Sequence, residues 1–302
     1  MSIKKEYFSL TPNIKIYYEL HCSSPSSSNM STKIIMIMGA YATLRLYDEH
    51  VEYLVEHYPS PIEILTYDHR GIGHSKPATT VITTERQTSS LLAHDAYQLI
   101  NHVWGGQTPV HVLGASLGGM VAQELAVLLI PEQRLLSLYL AITIRGSYIR
   151  PLALLPKWIF SRIILPYFAT KPDNEQMLRS MIPLVFNEIE EEEMEELIKK
   201  WLNDCGKWFI FQDIDGCSQQ HVIFNSHYLT DEHAQQIKDA QVPVTVQIAM
   251  QDKIFPPKKQ QELAELLNAK TMIMEHCGHM FNKQNLLKFS ESVLQHIQSA
   301  TA

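Results

Sequence analysis

The chain has 302 residues, 45% hydrophobic and 19% charged, which suits one large domain or a domain with a substantial insertion. Its formal charge of −7 comes from one place, because seven glutamates lie between Glu188 and Glu196 and the remainder sums to zero. With no basic stripe, no apolar window of about 18 residues and no apolar leader in MSIKKEYFSL, the sequence argues against a nucleic-acid partner and a membrane span and predicts a cytoplasmic protein.

Residues 5–21 read as a hairpin turning at Thr11-Pro12-Asn13. The polar stretch 23–31 reads as a connection. Continuous apolar runs then recur as KIIMIMG up to Gly39, IEILTY (62–67), VHVL (110–113), LLSLYLAI (135–142), VTVQIA (244–249) and TMIM (271–274). Runs of this kind suit strands buried on both faces of a parallel sheet. Helical spacing appears between them, at 84–103 through Leu92, Ala96, Leu99, Ile100 and Val103, with Thr84 and Gln87 spaced as a capping box. Residues 117–130, stopped by Pro131, and residues 257–267 and 284–297 predict three more helices. Alternating strands and helices imply a doubly wound, mostly parallel α/β sheet. The alternation breaks between Gly146 and Tyr228, which predicts a helical insertion at 146–228 between core segments 1–145 and 229–302.

In VLGASLGG, Ser116 stands between Gly114 and Gly118, after an apolar run and before a helical pattern. An abrupt strand-to-helix turn with neighbours lacking Cβ atoms exposes the serine hydroxyl and aims the next N–H, on Leu117, where an oxyanion would form. Gly119 would bring the helix close to the sheet. The plainer reading is a glycine-rich turn with an ordinary serine. A serine nucleophile needs a base, and the order nucleophile, acid, histidine is available. Asp252 follows VTVQIA, where it could equally cap the helix beginning near Pro256, and His279 follows TMIM in EHCGHMF. His276 is the neighbouring alternative histidine, and Glu275 the nearest alternative carboxylate. Two histidines three apart lack a third ligand of sensible spacing, so no metal is assigned. The cysteines Cys22, Cys205, Cys217 and Cys277 form no CxxC pair, which predicts free thiols rather than a zinc ribbon or a redox dithiol.

The motifs IMIMGAY, YDHRGIGHS, LGASLGGMVAQELA, QDKIFPP and CGHMF, in that order, resemble those of the α/β-hydrolase superfamily, with the insertion as its cap domain. The resemblance implies the α/β-hydrolase fold and a Ser116-His279-Asp252 triad that forms an acyl-enzyme without metal or organic cofactor. In YDHRGIGHS it implies that Asp68 and Arg70 hold a loop. The family's usual His-Gly after the third strand is replaced by Met38-Gly39. By carry-over Ala40 is an oxyanion donor with Leu117, Tyr41 being the alternative donor or a pocket-lining side chain.

The expected activity is hydrolysis of a small, apolar carboxylic ester. Thioester or carbon–carbon hydrolysis and cofactor-free peroxidation use the same residues, and a ligand-binding receptor with a slow hydrolase pocket is the alternative of a different class. The apolar stretch 150–170 reads as cap helices packing on the core, a roof over an apolar pocket, or a lipid-surface anchor. The acidic run 187–201 reads as an exposed helix burying Ile189, Met194, Leu197, Ile198 and Trp201, with Glu195–Lys199 and Glu196–Lys200 pairs. Oligomeric state is left open.

Overall fold

The computed structural model describes residues 1–23, 31–76, 86–147, 174–186, 189–203, 214–281 and 283–301. The six apolar runs form six strands of an eight-stranded sheet. Its strands are β1 (Ser2–Thr11), β2 (Ile14–Cys22), β3 (Thr32–Ile37), β4 (Ile62–Tyr67), β5 (Val110–Ala115), β6 (Leu135–Ala141), β7 (Val244–Ala249) and β8 (Lys270–Met274). Their order is β1-β2-β4-β3-β5-β6-β7-β8. β1–β2 and β2–β4 pair antiparallel and every other neighbour pairs parallel. In the first turn Thr11 Oγ1 accepts from the N–H groups of Asn13 and Ile14 at 3.3 and 3.1 Å.

Parallel neighbours need crossovers, and helices supply them on both faces. Side chains alternate along a strand, so Ile35 and Ile37 pack into one core with Leu92, Ala96, Met120 and Leu125. Ile34 and Met36 pack into the other, with Val51, Leu54, Phe289 and Val293. The first core takes α2 (Ser89–Trp104) and α3 (Leu117–Leu129), and the second takes α1 (Asp48–His57) and the last helix, Lys283–Thr301.

Two expectations change. The second helix begins at Ser89 rather than near 84, because Thr88 Oγ1 accepts from Leu91 N at 3.1 Å and satisfies a free amide of the first turn. Gln87 instead donates its backbone N–H to Gln219 Oε1 at 3.3 Å, and Thr84 lies outside the described residues. TMIM is not doubly buried. β8 is an edge strand in which only Met274 is buried.

After β6 the chain reaches α4 (Asn174–Val185), α5 (Glu191–Asn203) and α6 (Ile214–Ser226). Residues 24–30 and 150–170, and Cys205 with them, lie outside the described residues. The two ends of this segment are tied together. Gly146 and Tyr228 form an antiparallel bridge, Leu229 N donates to Arg145 O at 2.9 Å, and the Arg145 guanidinium lies 4.5 Å over the Tyr228 ring. α5 buries Ile198 and Trp201. Its charged side chains reach to other helices: Glu195 pairs with Arg179 of α4, and Lys200 Nζ meets Glu49 Oε1 of α1 at 3.0 Å. The chain then forms α7 (Asp231–Asp239), β7, α8 (Pro257–Leu267), β8 and α9 (Lys283–Thr301).

Five buried histidines are each held by a hydroxyl. His21 pairs with Thr66 (3.2 Å), His50 with Ser290 (2.8 Å), His111 with Ser137 (2.8 Å), His227 with Ser89 (2.8 Å) and His296 with Thr245 (2.9 Å). Glu19 and Glu124 stand 3.7 and 3.8 Å from His21 and His227, beyond hydrogen-bond reach. Burial pushes the pKa of His21 and His111 down to about 4, and that of His50, His227 and His296 to about 3. A folded pKa below the unfolded value near 6.5 means that the unfolded chain binds more protons. The resulting stability is complete above about pH 6.5 and is lost as pH falls toward 3, by up to about 1.4 kcal/mol per histidine per pH unit. Urea midpoints should fall steadily from about pH 6.5 to 4.5, and a flat profile over that interval would contradict this account.

Candidate active site

β5 ends at Ala115 and α3 begins at Leu117, so one residue, Ser116, makes the whole change of direction. Its backbone sits at φ 55° and ψ −121°, where an L-residue is strained. Hydrogen bonds to its surroundings hold it there. Ser116 N donates to Ala141 O at 2.9 Å, and Ser116 O accepts from Thr143 Oγ1 at 2.7 Å and from Gly119 N at 3.0 Å. The flanking glycines are required by close approach. A Cβ on Gly114 would stand 2.2 Å from Gly118 O, and one on Gly118 would stand 2.0 Å from Ile37 O at the end of β3.

Asp252 and His279 arrive from the neighbouring loops. His279, after β8, places Nε2 2.9 Å from Ser116 Oγ and Nδ1 2.8 Å from Asp252 Oδ2. The carboxylate can only accept, so Nδ1 carries the proton and Nε2 is free to accept the serine proton. Asp252 is buried after β7. Its Oδ1 accepts from Ile254 N at 2.7 Å and Phe255 N at 2.9 Å, so it also holds the turn into α8. Its Oδ2 accepts from Gln260 Nε2 at 2.9 Å. Gln260 also donates to Phe255 O at 2.7 Å and accepts from Ala249 N at 3.0 Å. The sequence reading missed this residue. Its one signal was a polar member in the stripe Gln260, Leu263, Ala264 and Leu267, which is buried throughout. His276 and Glu275 are exposed. Burial, then the Asp252 charge, raise the nearby Cys277 thiol to about 12, which keeps it protonated.

The loop after β3 is braced from below. His69 Nε2 donates to Met38 O at 2.9 Å, and Asp68 accepts from Leu44 N at 2.8 Å and His74 N at 2.9 Å. Arg70 Nε donates to Asp95 Oδ2 at 2.6 Å. Among the described residues, the N–H groups of Ala40 and Leu117 donate to no protein atom. Tyr41 N–H does, to Gln220 Oε1 at 2.6 Å, which leaves Ala40 as the open donor of the two. The Tyr41 ring packs against Phe224 and Ile72 and does not line the cavity above Ser116.

That cavity measures about 460 Å³ and reaches both Ser116 Oγ and His279. Met38, Tyr47, Ile142, Phe186, Trp201 and Met280 give it an apolar wall, Phe186 and Trp201 coming from the segment between Gly146 and Tyr228. Glu49, Glu193, Glu196 and Lys200 also line it. The arrangement can activate a hydroxyl, hold a developing oxyanion and enclose an uncharged ligand.

A family model described as the alpha/beta hydrolase fold matches residues 34–286. Among solved structures, a hydrolase from Pseudomonas aeruginosa PA01 is similar at a TM-score of 0.73 and 18% identity, covering 97% of this chain and 98% of that one. The enol-lactonase from Burkholderia xenovorans LB400 gives 0.73 and 18%, covering 97% and 100%. A thermophilic esterase from Thermogutta terrifontis gives 0.72 and 16%, covering all of both chains. A comparison with curated protein sequences found no match.

Two substitutions check the geometry. Gly118→Ala should lower stability by about 1–3 kcal/mol through the clash with Ile37 O, although alanine is the better helix former by about 1 kcal/mol. A stability gain in urea unfolding would contradict the close approach. Gln260→Leu should cost about 1–3 kcal/mol by leaving Ala249 N–H and Phe255 O unpaired, and an unchanged urea midpoint would show that these bonds contribute nothing.

Proposed function

Because the chain belongs to the α/β-hydrolase fold family, we propose that it is a serine hydrolase cleaving a small, largely apolar carboxylic ester through an acyl-enzyme. The observation that carries this reading is the unbroken line of hydrogen bonds from Asp252 through His279 to Ser116 Oγ, opening into an apolar cavity. His279 Nε2 takes the Ser116 proton as Oγ attacks the carbonyl carbon, and Asp252 stabilises the imidazolium that forms. The N–H groups of Ala40 and Leu117 hold the oxyanion, each worth about 100- to 1,000-fold in rate. Collapse expels the alcohol, protonated by His279. Water then attacks the acyl-enzyme with His279 as base, releasing the acid and restoring Ser116. An enol-lactone, the substrate class named for one similar structure, presents the same carbonyl within a ring.

The fixed tautomer of His279 makes Asp252 indispensable. Asp252→Asn presents an amide N–H to Nδ1 and favours the wrong tautomer, for a loss of about 10,000-fold in kcat. The primary test is a serine-directed fluorophosphonate with the adduct mapped by mass spectrometry. Label should fall on Ser116 and vanish in Ser116→Ala, with 4-nitrophenyl butyrate turnover dropping by about 10,000-fold or more. Folded Ser116→Ala that retained wild-type turnover would sink the reading.

A further inference from the structure

Among the described residues of the cavity wall, His50 is a buried polar side chain that this mechanism leaves unused. His50, on α1, is 5% exposed, and its ring lies edge-on to Phe289 at 4.7 Å and to Phe281 at 6.3 Å between centroids. Its Nδ1 is 2.8 Å from Ser290 Oγ. Ser290 has one proton, and Ser290 Oγ donates it to Leu286 O at 3.1 Å. With that proton on Leu286 O, the serine oxygen accepts from Nδ1–H and Nε2 carries a lone pair. Among the described residues Nε2 has no hydrogen-bond partner, and it is absent from the polar atoms sealed away without one. It belongs to a residue that lines the cavity above Ser116.

The rest of the lining does not offer this. Tyr47, also buried, commits its hydroxyl to Ile37 O at 3.0 Å. Glu49 and Lys200 stand about half exposed and pair with each other. Burial holds the His50 ring neutral, with its pKa at about 3, so it does not become a cation that would draw an anionic ligand. Glu49, Glu193 and Glu196 outnumber Lys200 in the lining, which also disfavours a carboxylate there.

We propose that His50 is a specificity-determining residue: its Nε2 accepts a hydrogen bond from a hydroxyl or N–H of the substrate, so the preferred ester carries such a donor away from its scissile bond. This rests on the hydrolase reading above and narrows it, from an apolar ester to an uncharged, mostly apolar ester with one donor. A site built around a buried acceptor discriminates more strongly than an apolar wall. An analogue lacking the donor leaves the acceptor dehydrated and unpaired.

The test pairs 4-nitrophenyl esters of ω-hydroxy acids of four to eight carbons with their unsubstituted and ω-methoxy counterparts. A matching series of ω-substituted alkyl butyrates covers the alcohol side. At one chain length in one series the hydroxyl compound should exceed both counterparts in kcat/KM by about 10- to 100-fold. That ratio should fall to about one in His50→Phe and recover in part in His50→Gln, which restores an acceptor. Fluorophosphonate labelling of Ser116 with a ratio near one at every length would overturn the role of His50 while leaving the hydrolase reading standing. A preference that survives in His50→Phe, or a methoxy compound equal to the hydroxyl one, would overturn it too. If Ser116 is not labelled, the hydrolase reading fails separately. The same pairs are then compared by calorimetric binding to the folded protein, where equal affinity for hydroxyl and unsubstituted compounds overturns the proposal.

Discussion

The structure depends on a close approach between three backbone segments: the end of β3 at Ile37, the end of β5 at Gly114 and the first turn of α3 at Gly118. No Cβ fits at either glycine. The reason lies in what Ser116 must do. A strand that turns into a helix within one residue brings the helix back over its own strand and against the neighbouring one. Contact at that separation is backbone against backbone. The strain at Ser116 is then confined by bonds to Ala141 O and Thr143 Oγ1, both on the far side of β5. Strained backbone persists only where its surroundings over-determine it, and here β3, β6 and α3 all contribute.

The same logic governs Asp252. A buried carboxylate is costly unless its lone pairs are filled. Two backbone amides, one side-chain amide and one imidazole fill them. The imidazole is one partner among four, so His279 meets a carboxylate whose position is already fixed by β7 and α8. Gln260 is the joint between them. It ties Asp252 to the last amide of β7 and to the carbonyl that precedes α8. Ring contact with Phe255 at 5.4 Å, edge to face, limits the remaining freedom of His279.

Much of this was legible in the sequence because it is local. The apolar runs located β3 to β7, since a strand buried on both faces needs no partner information to be recognised. The glycines around Ser116 record a steric demand within a few residues. The order of Asp252 and His279 follows from strand ends. The edge position of β8 was not legible, because TMIM is as apolar as an inner strand and only the neighbours decide its burial. The helix start at Ser89 was misread because Thr84 and Thr88 both precede plausible first turns, and the choice rests on which hydroxyl meets an amide. Gln260 and His50 were invisible for a shared reason. Each is a polar residue on an otherwise apolar helix face, and its meaning depends on partners far along the chain.

The loop from Met38 to Tyr41 shows how such distant partners set local chemistry. Ala40 and Tyr41 differ by one position, and sequence alone left both open as donors. Gln220, almost 180 residues away on α6, takes the Tyr41 amide. His69 takes the Met38 carbonyl from the other side. With the Tyr41 amide engaged, Ala40 N–H is the open donor of the two. The segment between β6 and Tyr228 thus acts twice on the candidate site. Phe186 and Trp201 wall the cavity, and Gln220 fixes the register of the loop beneath it. A change in how that segment seats on the sheet would alter pocket shape and amide placement together.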